Sequence, residues 1–113
     1  MSFDIIVLKP VDCSIVDLHE VSAALPFGTQ DNVKCAFFSE FPDCFNNLYT
    51  ELNEYSVELS IYDDPVESAH MTLWYGDDWS TLSGDKFMDA LSRVCNKLDV
   101  IAYAVSDNSK IAP

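Results

Sequence analysis

The chain has 113 residues, and 19 Asp and Glu against 6 Lys and Arg leave a formal net charge of −13. So few cations argue against binding to nucleic acid or to an anionic membrane surface, because phosphate contacts need a basic footprint. The length is that of one domain spanning residues 1–113, and an apolar fraction of 49% is too high for a chain kept disordered by its charge, so a packed core is expected.

The run Phe3 to Leu8 is apolar, dense in β-branched residues and closed by Lys9-Pro10, which predicts a strand covered on both faces. Ser14 to Asp17 has the look of a capping start, but Val16, Val21 and Ala24 are spaced too loosely for more than a short helix or turn. Leu25-Pro26-Phe27-Gly28 breaks the chain. Thr29 or Asp31 then caps a helix carrying Val33, Ala36, Phe37 and Phe41 at i, i+3, i+4 and i+8, ended by Pro42 near residue 40.

Leu48 to Leu52 is a weaker strand signal. In Tyr55 to Tyr62, Tyr55, Val57, Leu59 and Ile61 alternate with Ser56, Glu58 and Ser60, the pattern of a strand buried on one side. Asp63-Asp64-Pro65 supplies the turn, and Ser68 to Tyr75 returns with Ala69, Met71, Leu73 and Tyr75 on one face and His70, Thr72 and Trp74 on the other. After Gly76-Asp77-Asp78, Ser83 can cap a helix in which Phe87, Leu91, Val94, Cys95 and Leu98 fall on one stripe, with Arg93 and Lys97 in the last turns where cations suit the helix dipole. Val100 to Val105 predicts a final strand, and Ser106 to Ser109 a turn into a short tail.

This order predicts an α+β fold. It is a mostly antiparallel four- or five-stranded sheet with two helices on one face, in a split βαβ, ferredoxin-like arrangement with an added strand. The opposite face is expected to be uncovered and to display Ser56, Glu58, Ser60, His70, Thr72 and Trp74, among which a tryptophan is the least expected.

No catalytic or metal residues and no cofactor are expected. His19 and His70 are the only histidines, without a nucleophile elbow or Cys-His signature, although Glu58 and His70 could meet across adjacent strands as a polar pair. No spacing of Cys, His and carboxylates supplies a zinc site, and Asp63-Asp64 and Asp77-Asp78 lack the alternating oxygens of a calcium loop. Three glycines, at 28, 76 and 84, form no phosphate cradle. Cys13, Cys35, Cys44 and Cys95 read as small buried hydrophobes in a reducing compartment. The N-terminus lacks a cationic start and a long apolar stretch, and nothing approaches the roughly 20 apolar residues of a membrane span, so a cytoplasmic protein is expected.

The charge is unevenly distributed. Between Lys34 and Lys86 there is no Lys or Arg but eleven acidic residues: Glu40, Asp43, Glu51, Glu54, Glu58, Asp63, Asp64, Glu67, Asp77, Asp78 and Asp85. That stretch holds the middle strands, which predicts a negative potential on the open face and the loops beside it. Glu58, His70 and Trp74 on the face, with Asp63, Asp64, Asp77, Asp78 and Trp79 on its rim, are the expected contacts for a basic protein.

In size, charge and architecture the chain resembles the immunity proteins that bacteria pair with polymorphic, contact-dependent or type VI secreted toxins. Its opening Met1-Ser2-Phe3-Asp4-Ile5-Ile6-Val7-Leu8 and closing Ala102-Tyr103-Ala104-Val105-Ser106-Asp107-Asn108-Ser109 are also similar to small bacterial proteins of unknown role. The resemblance implies a non-catalytic protein that binds and neutralises a cognate toxin domain. The alternatives are an acidic protein-binding or self-assembling subunit and a DNA mimic.

Overall fold

The computed structural model describes residues 2–12, 14–41, 49–51, 55–76 and 81–113. Its strands are β1 (Ser2–Pro10), β2 (Ala24–Leu25), β3 (Tyr49–Glu51), β4 (Tyr55–Tyr62), β5 (Ser68–Tyr75), β6 (Ile101–Ala104) and β7 (Lys110–Ala112), with helices α1 (Gln30–Phe38) and α2 (Thr81–Leu98). The strands form one antiparallel sheet in the order β3-β4-β5-β1-β6-β7, and β2 pairs with the end of β1. The chain passes from β1 through α1 to β4, skipping the place that β5 fills, and from β5 through α2 to β6 on the far side of β1. This is the split βαβ pattern of the expected α+β fold, extended by β3 at one edge and β7 at the other. The tail expected after Ser109 is thus the edge strand β7, paired through Ala102 with Ala112 and Tyr103 with Lys110.

Alternation puts Ile5 and Val7 of β1, Val57 and Leu59 of β4, and Ala69, Met71 and Leu73 of β5 on one face, all buried. Val33 and Phe37 of α1, Phe41 just beyond it, and Phe87, Leu91, Val94 and Cys95 of α2 belong to the same core. Both helices therefore cover the same face. The Phe87 ring packs against Phe41 at 5.8 Å and edge-on against Tyr55 at 5.5 Å between centroids. Such aromatic contacts add specificity to what area burial already contributes.

Local chemistry sets the helix limits. Thr29 caps α1, its hydroxyl accepting from the Asn32 amide at 3.2 Å. At the end of α2, Asp99 adopts a left-handed conformation (φ 55°) and the Val100 amide donates to the Cys95 carbonyl at 3.0 Å, the closing bond of a Schellman motif. Asp99 occupies the position that glycine usually takes. Among the described residues no helix is long and apolar enough to cross a membrane.

Candidate functional site

The outer face of the sheet, expected to be open throughout, is covered over one half. Leu8, Ile101 and Tyr103 form a second buried cluster there, with Ile6, Leu18, Val21 and Ala24 packed against it. The physical reason lies in β1 and β6, which carry apolar side chains on both faces and therefore need cover on both. The segment 14–25, expected to form no more than a short helix or turn, supplies it as a strap. The Tyr103 hydroxyl donates to the Ile15 carbonyl at 2.9 Å, the Leu18 amide to Asn108 O at 2.7 Å and the Lys110 amide to Val16 O at 2.9 Å. Only the Leu8 end of β1 is covered on both faces, because Asp4, nearer its start, is exposed.

The other half, over β4, β5 and the start of β1, stays open. The register lays it out in cross-strand rows: Ser2, Trp74, Ser56; then Asp4, Thr72, Glu58; then Ile6, His70, Ser60; then Ser68 and Tyr62, beside the covered Leu8. Trp74 is 44% and Tyr62 50% exposed, so two aromatic rings stand at opposite ends of a polar strip. Six residues of strand separate the two rows, which is roughly 20 Å. Glu58, His70 and Trp74 share this face, as alternation predicted.

Asp4 organises the middle of the strip. Its Oδ1 accepts from Thr72 Oγ1 at 3.2 Å and lies 3.5 Å from His70 Nε2. The register sets Glu58 opposite Thr72 and His70 opposite Ser60, so the carboxylate that His70 meets is Asp4 rather than Glu58. Sequence reasoning missed Asp4 because it leads an apolar run. The only sequence signal is its phase, two residues before Ile6, and phase alone does not say that this end of the strand lacks cover. A trough of about 300 Å³ opens beside it, lined by Asp4, Ile6, Tyr62, Ser68, His70 and Val105.

The expected rim is arranged differently. Asp63 and Asp64 are exposed, but their turn is drawn toward the helical layer by Phe27 N donating to Val66 O at 2.9 Å and Val66 N to Gly28 O at 2.8 Å. Asp64 Oδ1 accepts from the Gln30 amide at 3.4 Å, and Gln30 Nε2 donates to Asp63 O at 3.2 Å. Asp64 thus serves the start of α1, where a carboxylate suits the positive end of the helix dipole. Asp77, Asp78 and Trp79 lie outside the described residues.

Nor does all the negative charge of the middle segment face outward. Arg93 of α2 donates two hydrogen bonds to Glu40, Nε to Oε1 at 2.8 Å and Nη2 to Oε2 at 3.0 Å, on the helical layer. This grip holds the Glu40 carboxyl below the usual glutamate range. Asp85 also lies on α2. Among the described residues of the open half, Asp4 and Glu58 carry the formal negative charge, and no Lys or Arg is among them.

Of the cysteines, Cys95 is buried and burial pushes its thiol up to about 12, whereas Cys35 is exposed, contrary to the expectation of a buried hydrophobe. Cys13 and Cys44 lie outside the described residues. Among the described residues, no three His, Cys, Asp or Glu side chains converge as a metal site. The chain matches no protein-family model, no curated protein and no solved structure.

Proposed function

We propose that the protein is a non-catalytic inhibitor that docks a basic protein on the open half of its sheet, acting as an immunity protein that neutralises a cognate bacterial toxin domain in the cytoplasm. The observation that carries this reading is Trp74: a large ring, 44% exposed, on a mainly polar face, one row from Asp4 and Glu58. A tryptophan held in water on a rigid strand is the kind of residue that anchors an interface, since docking removes its apolar area from solvent without ordering a loop. The carboxylates would pair with Lys or Arg of the partner, and the net charge of −13 would steer association.

The test is a protection assay. Cells that produce the proposed cognate toxin domain should survive when the chain is co-produced, and should lose that protection with Trp74→Ala combined with Glu58→Lys. Absence of protection by the unaltered chain would reject the toxin partner. Protection untouched by the double variant would reject this face. A dimer in sedimentation that dissociates on Trp74→Ala would make the protein a self-assembling subunit instead.

A further inference from the structure

We propose that the trough beside Asp4 is a seat for one arginine side chain of the basic partner. The inference rests on the reading above and goes on to name the recognised group. The trough holds about 300 Å³, room for one long side chain and some water. It lies at the step where the strap-covered half of the outer face meets the open half. Val105, 39% exposed, and Tyr62, 50% exposed, line it together with Ile6 and His70.

The polar end is oriented in advance. Thr72 Oγ1 and His70 Nε2 both approach Oδ1 of Asp4, which leaves Oδ2 without a partner among the described residues on a side chain that is 50% exposed. A guanidinium could donate to that oxygen while its flat face lies on the Tyr62 ring and its methylenes cover Ile6 and Val105. Lysine suits the trough less well. Its ammonium is a compact, strongly hydrated charge and gains little from flat walls.

Charge complementarity selects the partner. The open half carries acids and no Lys or Arg among its described residues, so an incoming cation meets no competitor there except His70. A second copy of the chain is a poor occupant. It would bring another −13 of charge, and its single arginine, Arg93, is already held by Glu40.

The experiment titrates isotopically labelled protein at low salt with acetyl-Gly-Arg-Gly-amide and, separately, acetyl-Gly-Lys-Gly-amide, following the Val105 methyl, His70 ring and Tyr62 ring signals by NMR. The arginine peptide should give saturable shifts at these three residues and bind at least about threefold more tightly than the lysine peptide. Asp4→Asn should weaken it by roughly tenfold and Tyr62→Ser should also weaken it, whereas Glu58→Gln should change it less than about twofold. Thermal melts of the variants establish that they are folded. Equal binding of the two peptides, shifts that do not saturate, shifts centred on Asp63 and Asp64, or undiminished binding by Asp4→Asn would each overturn the seat. If the seat fails while protection in cells still depends on Trp74 and Glu58, the broader reading stands. A seat that binds arginine in a chain giving no protection sinks that reading instead.

Discussion

The Tyr103 hydroxyl donates a 2.9 Å hydrogen bond to the Ile15 carbonyl, tying β6 to the strap that crosses the outer face. Tyr103 is fully buried, and burial raises its phenol above the ordinary tyrosine range, so it is protonated and can donate near neutral pH. The bond helps to divide the outer face into a covered half and an open half. Tyr103→Phe should cost about 1 kcal/mol, the net worth of one such bond, with the ring still packed against Leu8 and Ile101. The loss should be local. Hydrogen exchange at the Leu18 and Lys110 amides, which bond Asn108 O and Val16 O, should quicken while the amides joining β4 to β5 keep their protection. Uniform loss across the sheet would mean that the strap is part of the global folding unit.

Binding of the proposed basic partner should depend on Trp74 far more than folding does. Trp74→Ala should weaken the complex by about 2 kcal/mol or more, roughly thirtyfold, as for a central interface anchor. Its thermal stability should move by no more than about 0.5 kcal/mol, because the ring is exposed on the strand surface. The association rate should fall as salt rises, and Glu58→Lys should lower it further at low ionic strength. Stopped-flow measurement across a salt series separates the two effects, and a rate indifferent to salt would remove steering from the mechanism.

The Arg93 grip on Glu40 predicts a particular acid sensitivity. Because the folded state holds the Glu40 carboxyl below its unfolded range, the pair's contribution is complete above that range and is lost as pH falls through the folded value. The melting temperature of the parent should exceed that of Glu40→Gln near neutrality, and the gap should close as the pH drops below about 4. A gap that persists in acid would assign the effect to packing instead.

The two described cysteines should differ sharply toward a thiol reagent. Only thiolate reacts, and burial keeps Cys95 protonated, with its thiol raised to about 12, while Cys35 is exposed on α1. At pH 8, site-resolved mass spectrometry should find Cys35 modified in the folded protein and Cys95 modified only once denaturant has opened the core. Equal rates at the two sites would show that the α2 face opens far more readily than its packing implies.

Much of the fold was legible in the residues alone. The period-2 alternation of Tyr55 to Tyr62 and Ser68 to Tyr75 matches β4 and β5 residue for residue, and it correctly put Glu58, His70 and Trp74 on one face. The stripe from Phe87 to Leu98 and the cap at Thr29 likewise reported local preferences that the tertiary structure had no reason to override. Alternation states which residues share a face. It is silent on what covers that face, since cover comes from segments distant in the chain. Val21 and Ala24 have no clean period of their own, and with Leu18 they become a strap only because Tyr103, Leu8 and Ile101 present an apolar surface to them. Composition placed eleven acids in the middle of the chain, but pairing across 53 residues turned Glu40 inward to Arg93, and the β1–β5 register brought Asp4 beside His70. Local patterning therefore determined the elements and their faces. Long-range burial and charge pairing, which depend on neighbours that only the folded chain brings close, decided which part of the surface remains open and negative.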